Sequence, residues 1–285
     1  MAEATLSLAD AQVLEAAEAA HLAGQARLAA VMDPSTAART LPLDGGVGVL
    51  SVPAFGRKLN HAVGLGMAGP TDLRQLGAIE AAFDAQKTPL EIDLCPLTHP
   101  STLGILAERG YVGSAFSNTY WGRPRPAGDL VTGVSIRRAE LEDARDFIAA
   151  QAAGFGATPN PRSNRLLDLL ARGALARSDV TPMIAEIDGR IAGTASIAIV
   201  EVLGQRVAHL FGASTVEAFR GRGVQPALLA VRLAIASDIG ADWVSLCARP
   251  LNVSARNAER AGLRLAYTKT TFVRRAASHI SDNIS

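Results

Sequence analysis

Seven consecutive residues, Arg220-Gly221-Arg222-Gly223-Val224-Gln225-Pro226, combine the types that hold an anion. They separate an apolar run, 207–215, that reads as a strand from an apolar run, 227–236, that reads as a helix. Glycines let a backbone approach a ligand closely and adopt dihedrals closed to other residues. The first N–H groups of a helix lack intrahelical acceptors and point outward, and the helix dipole adds positive potential there. Arg220 and Arg222 would add charge-assisted donors. A strand, a glycine turn and a helix start in this order make a phosphate cradle.

The details exclude two common cradles. No third glycine follows Gly221 and Gly223 at the spacing of a dinucleotide fold, and the chain has no Gly-Lys-Ser/Thr. The loop resembles the pyrophosphate loop of the GNAT acyltransferase superfamily, Arg/Gln-x-x-Gly-x-Gly/Ala. Arg220 and Gly223 match; Gln225 departs at the last small position, and Pro226 removes one N–H from the first helical turn. The resemblance extends over about 134–275 in order of elements. A strand and helix are expected over 134–143, and a hairpin over 183–197 turning at Asp188-Gly189. A buried strand is expected over 243–247. A helix over 252–262, with Asn or Ser as N-cap and Gly262 as its stop, then leads into the last strands.

The resemblance implies acetyl-CoA as cosubstrate. Its phosphates would lie on Arg220, Gly221, Arg222, Gly223, Val224 and Gln225. The backbone at Ala213 and Thr215 would pair with the pantetheine arm, and an N–H near Ala213 would polarise the thioester carbonyl. Asn252 and Asn257 open the helix that flanks the arm in this family. A tyrosine often precedes the helix-ending glycine by four residues; here that position is Ala258. Tyr267, which also fits the packing alternation of a strand, and His209 are the remaining candidates for acid and base. Glu201 and Glu217 lie on nearby elements. The segment 154–161, rich in glycine and proline around Phe155, reads as a substrate-side loop.

The chain also aligns with itself at an offset of 152 residues. Gly69 falls on Gly221, Leu76 on Leu228, Cys95 on Cys247, Gly110 on Gly262 and Arg123 on Arg275. Such an offset suits a duplicated domain. Ala68 to Leu73, opposite Arg220 to Gln225, keeps one glycine and neither arginine. Thr71 reads as an N-cap there, with Asp72 in the first turn. The expected fold is α/β (α+β): two GNAT-like domains, each a mixed, mostly antiparallel sheet flanked by helices. Residues 1–123 form a degenerate domain without a coenzyme loop, 124–133 a linker, 134–276 the acyltransferase domain and 277–285 a polar tail. A long alanine-rich helix from Ala9 to Val31 is expected to pack on the pair.

Composition bounds the rest. The 285 residues carry a formal net charge of +1 without a basic tract, which argues against nucleic acid as a partner. Residues 1–126 hold 9 Lys+Arg against 12 Asp+Glu, so the remainder carries the positive excess. No apolar run approaches a membrane span, and no secretory signal is visible at Met1-Ala-Glu-Ala, so a cytoplasmic enzyme is expected. Cys95 and Cys247 read as reduced core residues, and no metal-ligand spacing occurs. Two functions fit: an acyl-CoA-dependent N-acyltransferase acting on a small amine or amino-acid-like acceptor, or a catalytically silent acyl-CoA-binding or regulatory protein. Monomer and homodimer are both left open.

Overall fold

The computed structural model describes residues 6–126, 131–156 and 161–274. Parts of the expected linker (127–130) and substrate-side loop (157–160), Arg275 and the polar tail lie outside them. The chain opens with α1 (Leu8–Met32), started by a capping box in which Ser7 Oγ accepts from the Asp10 N–H at 3.1 Å and Asp10 accepts from the Ser7 N–H at 2.9 Å. Strands β1 (Arg39–Leu43) and β2 (Gly46–Leu50), a 3₁₀ turn (Pro53–Leu59) and β3 (His61–Val63) follow. The first half ends with α2 (Leu73–Ala85), β4 (Glu91–Leu94), α3 (Ser101–Glu108) and β5 (Tyr111–Gly122). The second half contains β6 (Ser135–Arg138), α4 (Ala144–Gly154), α5 (Pro161–Ala176), β7 (Val180–Ile187), β8 (Arg190–Val202) and β9 (Gln205–Thr215). It closes with α6 (Val224–Asp238), β10 (Trp243–Ala248), α7 (Val253–Arg260) and β11 (Arg264–Arg274). Asp188 and Gly189 turn the β7–β8 hairpin with φ of 53° and 69°, the paired positive values a two-residue hairpin favours.

Among the described residues all eleven strands form one sheet, ordered β1-β2-β3-β4-β11-β5-β10-β9-β8-β7-β6. Each neighbouring pair is antiparallel except β3–β4 and β9–β10. The order places β11, from the end of the chain, between β4 and β5 of the first half. It likewise places β5 between β11 and β10 of the second. Each half therefore completes its sheet with a strand of the other. The β5–β11 ladder runs from Arg264↔Trp121 to Arg274↔Tyr111, almost the full length of both strands. The offset of 152 holds in the elements: α7 starts and ends 152 residues after α3, and β10 starts 152 after β4. It does not reach the preceding hairpins. Asp44-Gly45 and Asp188-Gly189 are 144 apart, because β8 and β9 are longer than β2 and β3.

Two layers cover the sheet. On one face α2 and α3 pack on Ala62, Ile92, Leu94 and Phe272. On that same face α6 and α7 pack on Ala195, Leu210, Leu246 and Tyr120. The other face carries α1, α4 and α5. The apolar stripe Ala11, Leu14 and Ala17 of α1 meets Trp121, Val207, Trp243 and Tyr267. Beside that stripe runs a polar seam. Lys269, 1% exposed, donates to Glu15 Oε1 at 2.8 Å and Glu18 Oε2 at 2.6 Å, and the Tyr267 hydroxyl donates to Glu15 Oε1 at 2.8 Å. The seam continues through Arg57 paired with Asp93, which also accepts from Thr271 Oγ1 at 2.7 Å. Buried charges persist only when paired, so the seam fixes where α1 lies on the last strand.

Candidate functional site

The junction of β9 and β10 opens within the sheet. They pair only from Val207↔Trp243 to His209↔Ser245. Beyond that point β9 runs on to Thr215 and β10 to Ala248 without pairing each other. A bulge widens the gap: the β8–β9 register shifts between Thr194 and Ser196, and Gly212 takes φ +64°. Gln151 of α4 donates from Nε2 to the Gly212 carbonyl at 3.1 Å, and a Cβ at residue 212 would stand 3.1 Å from that nitrogen. Ala213 and Thr215, expected beside a pantetheine arm, lie on the open stretch of β9.

The Arg220–Gln225 loop ends where α6 begins. Gly223 is the N-cap at φ +78° and no side chain caps the helix, so its first N–H groups are left to an outside acceptor. Gly221 shares the positive φ, +78°. The ion pairs of Arg220 with Glu217 (4.0 Å) and Arg222 with Asp188 (3.4 Å) join exposed side chains. Exposed pairs contribute little, so both guanidinium groups can turn to an anion. Gln225 Nε2 donates to Thr215 Oγ1 at 2.9 Å, which directs its side chain onto β9 and leaves its backbone N–H, with that of Val224, at the helix start. A coenzyme pyrophosphate fits this loop.

The matching place in the first half is closed. Asp72, not Thr71, is the N-cap of α2, accepting from the N–H of Arg74 at 2.7 Å and of Gln75 at 3.4 Å. The Thr71 hydroxyl instead meets Thr102 Oγ1 at 3.0 Å, because the loop folds inward under α3. Past the β3–β4 junction, Thr98 Oγ1 donates to the Leu65 carbonyl at 2.6 Å. A Cβ on Gly66 would lie 2.4 Å from the hydroxyls of both Thr98 and Thr102. A carboxylate at the helix start and three threonines behind it leave no room for a phosphate.

At the other wall, Asn252 Oδ1 accepts from the Ala255 N–H at 2.7 Å and caps α7. Asn257 is half-buried; its carbonyl accepts from the Ala261 N–H at 3.0 Å, and its side chain makes no hydrogen bond to a described residue. Ala258 is fully buried, and the ring of Tyr120 from β5 packs in the same cluster. The Tyr120 hydroxyl donates to Glu259 Oε1 at 2.9 Å and accepts from Asn118 Nδ2 at 3.2 Å. No sequence signal places Tyr120 here, because it belongs to the half that lacks the loop.

His209 and Tyr267 face the α1 side. His209 is buried, its Nδ1 3.0 Å from Ser245 Oγ and its ring 4.8 Å from that of His21. Burial, against the pull of Glu18, lowers its pKa to about 4. Burial and then the Glu15 carboxylate push the Tyr267 hydroxyl well above its usual value. Glu201 pairs with Arg206 at 2.7 Å, at the closed end of the β8–β9 hairpin, away from the opening. Cys95 is buried as expected, but Cys247 is exposed although its strand is interior. It follows the point where β9 departs, so solvent reaches it through the gap. Its thiol lies 3.2 Å from Glu18 Oε2.

Among the described residues no group of three or more His, Cys, Asp or Glu could hold a metal ion, and no helix is long and apolar enough to cross a membrane. Residues 146–262 match the acetyltransferase (GNAT) family model. No curated protein matches the sequence. Among solved structures, a GCN5-related N-acetyltransferase from Kribbella flavida superposes with a TM-score of 0.59 at 20% identity, covering 90% of this chain and 97% of that one. A tandem GNAT protein from the clavulanic acid biosynthesis pathway gives 0.57 at 16% identity, covering 80% and 77%. A GCN5-related N-acetyltransferase from Sphaerobacter thermophilus gives 0.54 at 16% identity, covering 80% and 72%. Family model and fold agree with the loop, the opening and the order of strands: over residues 146–262 the chain is similar to the GNAT acetyltransferase family.

Proposed function

We propose that the protein is an acyl-CoA-dependent N-acyltransferase of a small amine acceptor, with one coenzyme site in the second half of a duplicated chain. The observation that carries this reading is the contrast between the two helix starts. The N-terminus of α6 is uncapped, glycine-lined and flanked by Arg220 and Arg222, beside an open junction. The N-terminus of α2 is capped by Asp72 beside a filled one. Bound acetyl-CoA would supply an activated acyl group. The chain's own part is to hold the phosphates on Arg220 to Gln225, to align the arm along Ala213 to Thr215, and to offer an N–H near Ala213 to the carbonyl oxygen. Asn257, whose side chain makes no hydrogen bond to a described residue, is the residue on α7 best suited to the arm. Asn252 keeps its capping bond and has only its amide N–H groups to give.

Calorimetry with acetyl-CoA tests the reading. Arg220→Ala together with Gly223→Asp should abolish binding, since donors are lost and a carboxylate enters the anion site. Ala68→Asp, at the matching place in the first half, should leave affinity unchanged. Binding that survives the double variant would overturn the assignment. A silent coenzyme-binding protein remains the second reading, favoured by the buried Ala258 where the family often has a tyrosine. Thiol release from acetyl-CoA across a panel of amines separates the two: a protein that binds the coenzyme and releases no thiol with any amine is the silent one.

A further inference from the structure

The peptide that joins Gly212 to Ala213 is held from one side by a side chain that the coenzyme reading does not use. At the bulge the Gly212 carbonyl faces α4, where Gln151 Nε2 donates to it at 3.1 Å. Gln151 is 5% exposed, and the neighbouring buried residues of α4, Phe147 and Ala150, are apolar. A buried amide in such surroundings is costly unless it is hydrogen-bonded, so this bond fixes its direction. Gly154, one turn on, brings the same face of α4 against the open stretch of β9. A Cβ at residue 154 would stand 2.5 Å from Ser214 Oγ and 2.9 Å from the Thr215 nitrogen. The Ser214 hydroxyl in turn meets Thr194 Oγ1 at 3.1 Å, which ties β9 to β8 just past the bulge.

A peptide group is planar and, here, trans, so its N–H points away from its own C=O. The bond that holds the Gly212 carbonyl toward α4 therefore holds the Ala213 N–H away from α4. The ladder sets the rest of its direction. The Val216 N–H donates to the Ala192 carbonyl at 2.9 Å, and Thr194↔Ser214 lies two residues along, so residues 214 and 216 turn to β8. Residues 213 and 215 turn the other way, into the opening where β9 and β10 no longer pair. We infer that Gln151 is the positioning residue for the carbonyl-polarising donor. It fixes the Ala213 N–H toward the acyl oxygen and, by bonding the carbonyl of the same peptide, makes that N–H a stronger donor. The inference rests on the acyltransferase reading above and adds to it a residue of α4 that acts through the backbone.

Gln151→Leu tests this, and Gln151→Met, unbranched and closer in shape, stands in if the first variant does not fold. Circular dichroism reports folding and calorimetry reports acetyl-CoA affinity. Infrared difference spectra of acetyl-CoA carrying a carbon-13 thioester carbonyl, bound without an acceptor, read the donor directly. In the parent the carbonyl band should lie below that of free acetyl-CoA, and the variant should lose at least half of that shift. With an amine that the parent acetylates, kcat should fall about tenfold or more, less than the loss of an entire oxyanion donor. The KM for acetyl-CoA should stay within about threefold, because the phosphate loop is untouched. A side chain that only packs would change folding or affinity and leave the band of the bound coenzyme in place. A folded variant that keeps the parent band, or a parent whose band matches free acetyl-CoA, would overturn the inference and leave the acyltransferase reading standing. The infrared readout needs no turnover, so a protein that binds the coenzyme and acetylates nothing would lose that reading while the band still judges Gln151. Acetyl-CoA that does not bind the parent would remove both.

Discussion

At the scale of single residues, the two sequence candidates for proton transfer are the ones most changed by their surroundings. His209 has a pKa of about 4, so it is already neutral at pH 5 and above. A rising limb of activity near neutral pH would then report the acceptor amine, and His209→Gln should leave its midpoint in place. A limb that vanishes in that variant, with coenzyme affinity unchanged, would make His209 the base. Tyr267→Phe belongs to the same experiment. The phenol donates to buried Glu15, so its loss should cost about 1.5–3 kcal/mol of stability, as for other hydrogen bonds to charged groups, with turnover within a few-fold. The uncapped start of α6 was legible from residue types because Gly221 and Gly223 act there through their backbone, which spacing displays. Asn252 as cap was likewise legible, since the rule is local. The exposure of Cys247 was not: its neighbours are apolar, and it is uncovered only because β9 diverges two residues earlier. The Asp72 cap replaced Thr71 for a similar reason, since Thr71 is drawn to Thr102 by a contact 31 residues away.

At the scale of elements, the repeat was readable and the exchange of strands was not. Residues 111–122 and 264–274 carry similar patterns, so each could close its own half as well as the other. The choice is made by long-range contacts: β11 places Thr271 against Asp93 and Lys269 against α1, while β5 places Tyr120 against Glu259. The boundary expected at 124–133 therefore separates the repeats in sequence without separating the sheet. Residues 131–276 made alone lose β5, and β10 and β11 then expose their unpaired edges. This fragment should aggregate or stay unfolded by circular dichroism and gel filtration. Mixing it during refolding with residues 1–126 should restore a soluble complex that binds acetyl-CoA. A fragment that is monomeric, folded and coenzyme-binding alone would show that the exchange is dispensable.

At the scale of the whole molecule, α1 spans both halves and covers imidazoles that cannot easily charge. Burial lowers the pKa of His209 and His61 to about 4 and that of His21 well below its usual 6.5. In the unfolded chain all three protonate near 6.5. Between pH 6.5 and 4 the unfolded state therefore binds more protons, and stability must fall as pH falls. The slope is at most about 1.4 kcal/mol per pH unit for each histidine. Glu15 opposes it in part, because its raised pKa lets the folded state take up a proton early. Glu18, held at about 2, contributes only below about pH 4.5. Melting temperature should accordingly drop between pH 6.5 and 4.5, before the paired carboxylates titrate. His21→Gln should flatten that drop, although it lowers stability at pH 7.5 through lost packing against His209 and Phe211. A melting temperature that stays level from pH 7 to 5, or an unchanged slope in His21→Gln, would mean that these imidazoles are not held neutral beneath α1.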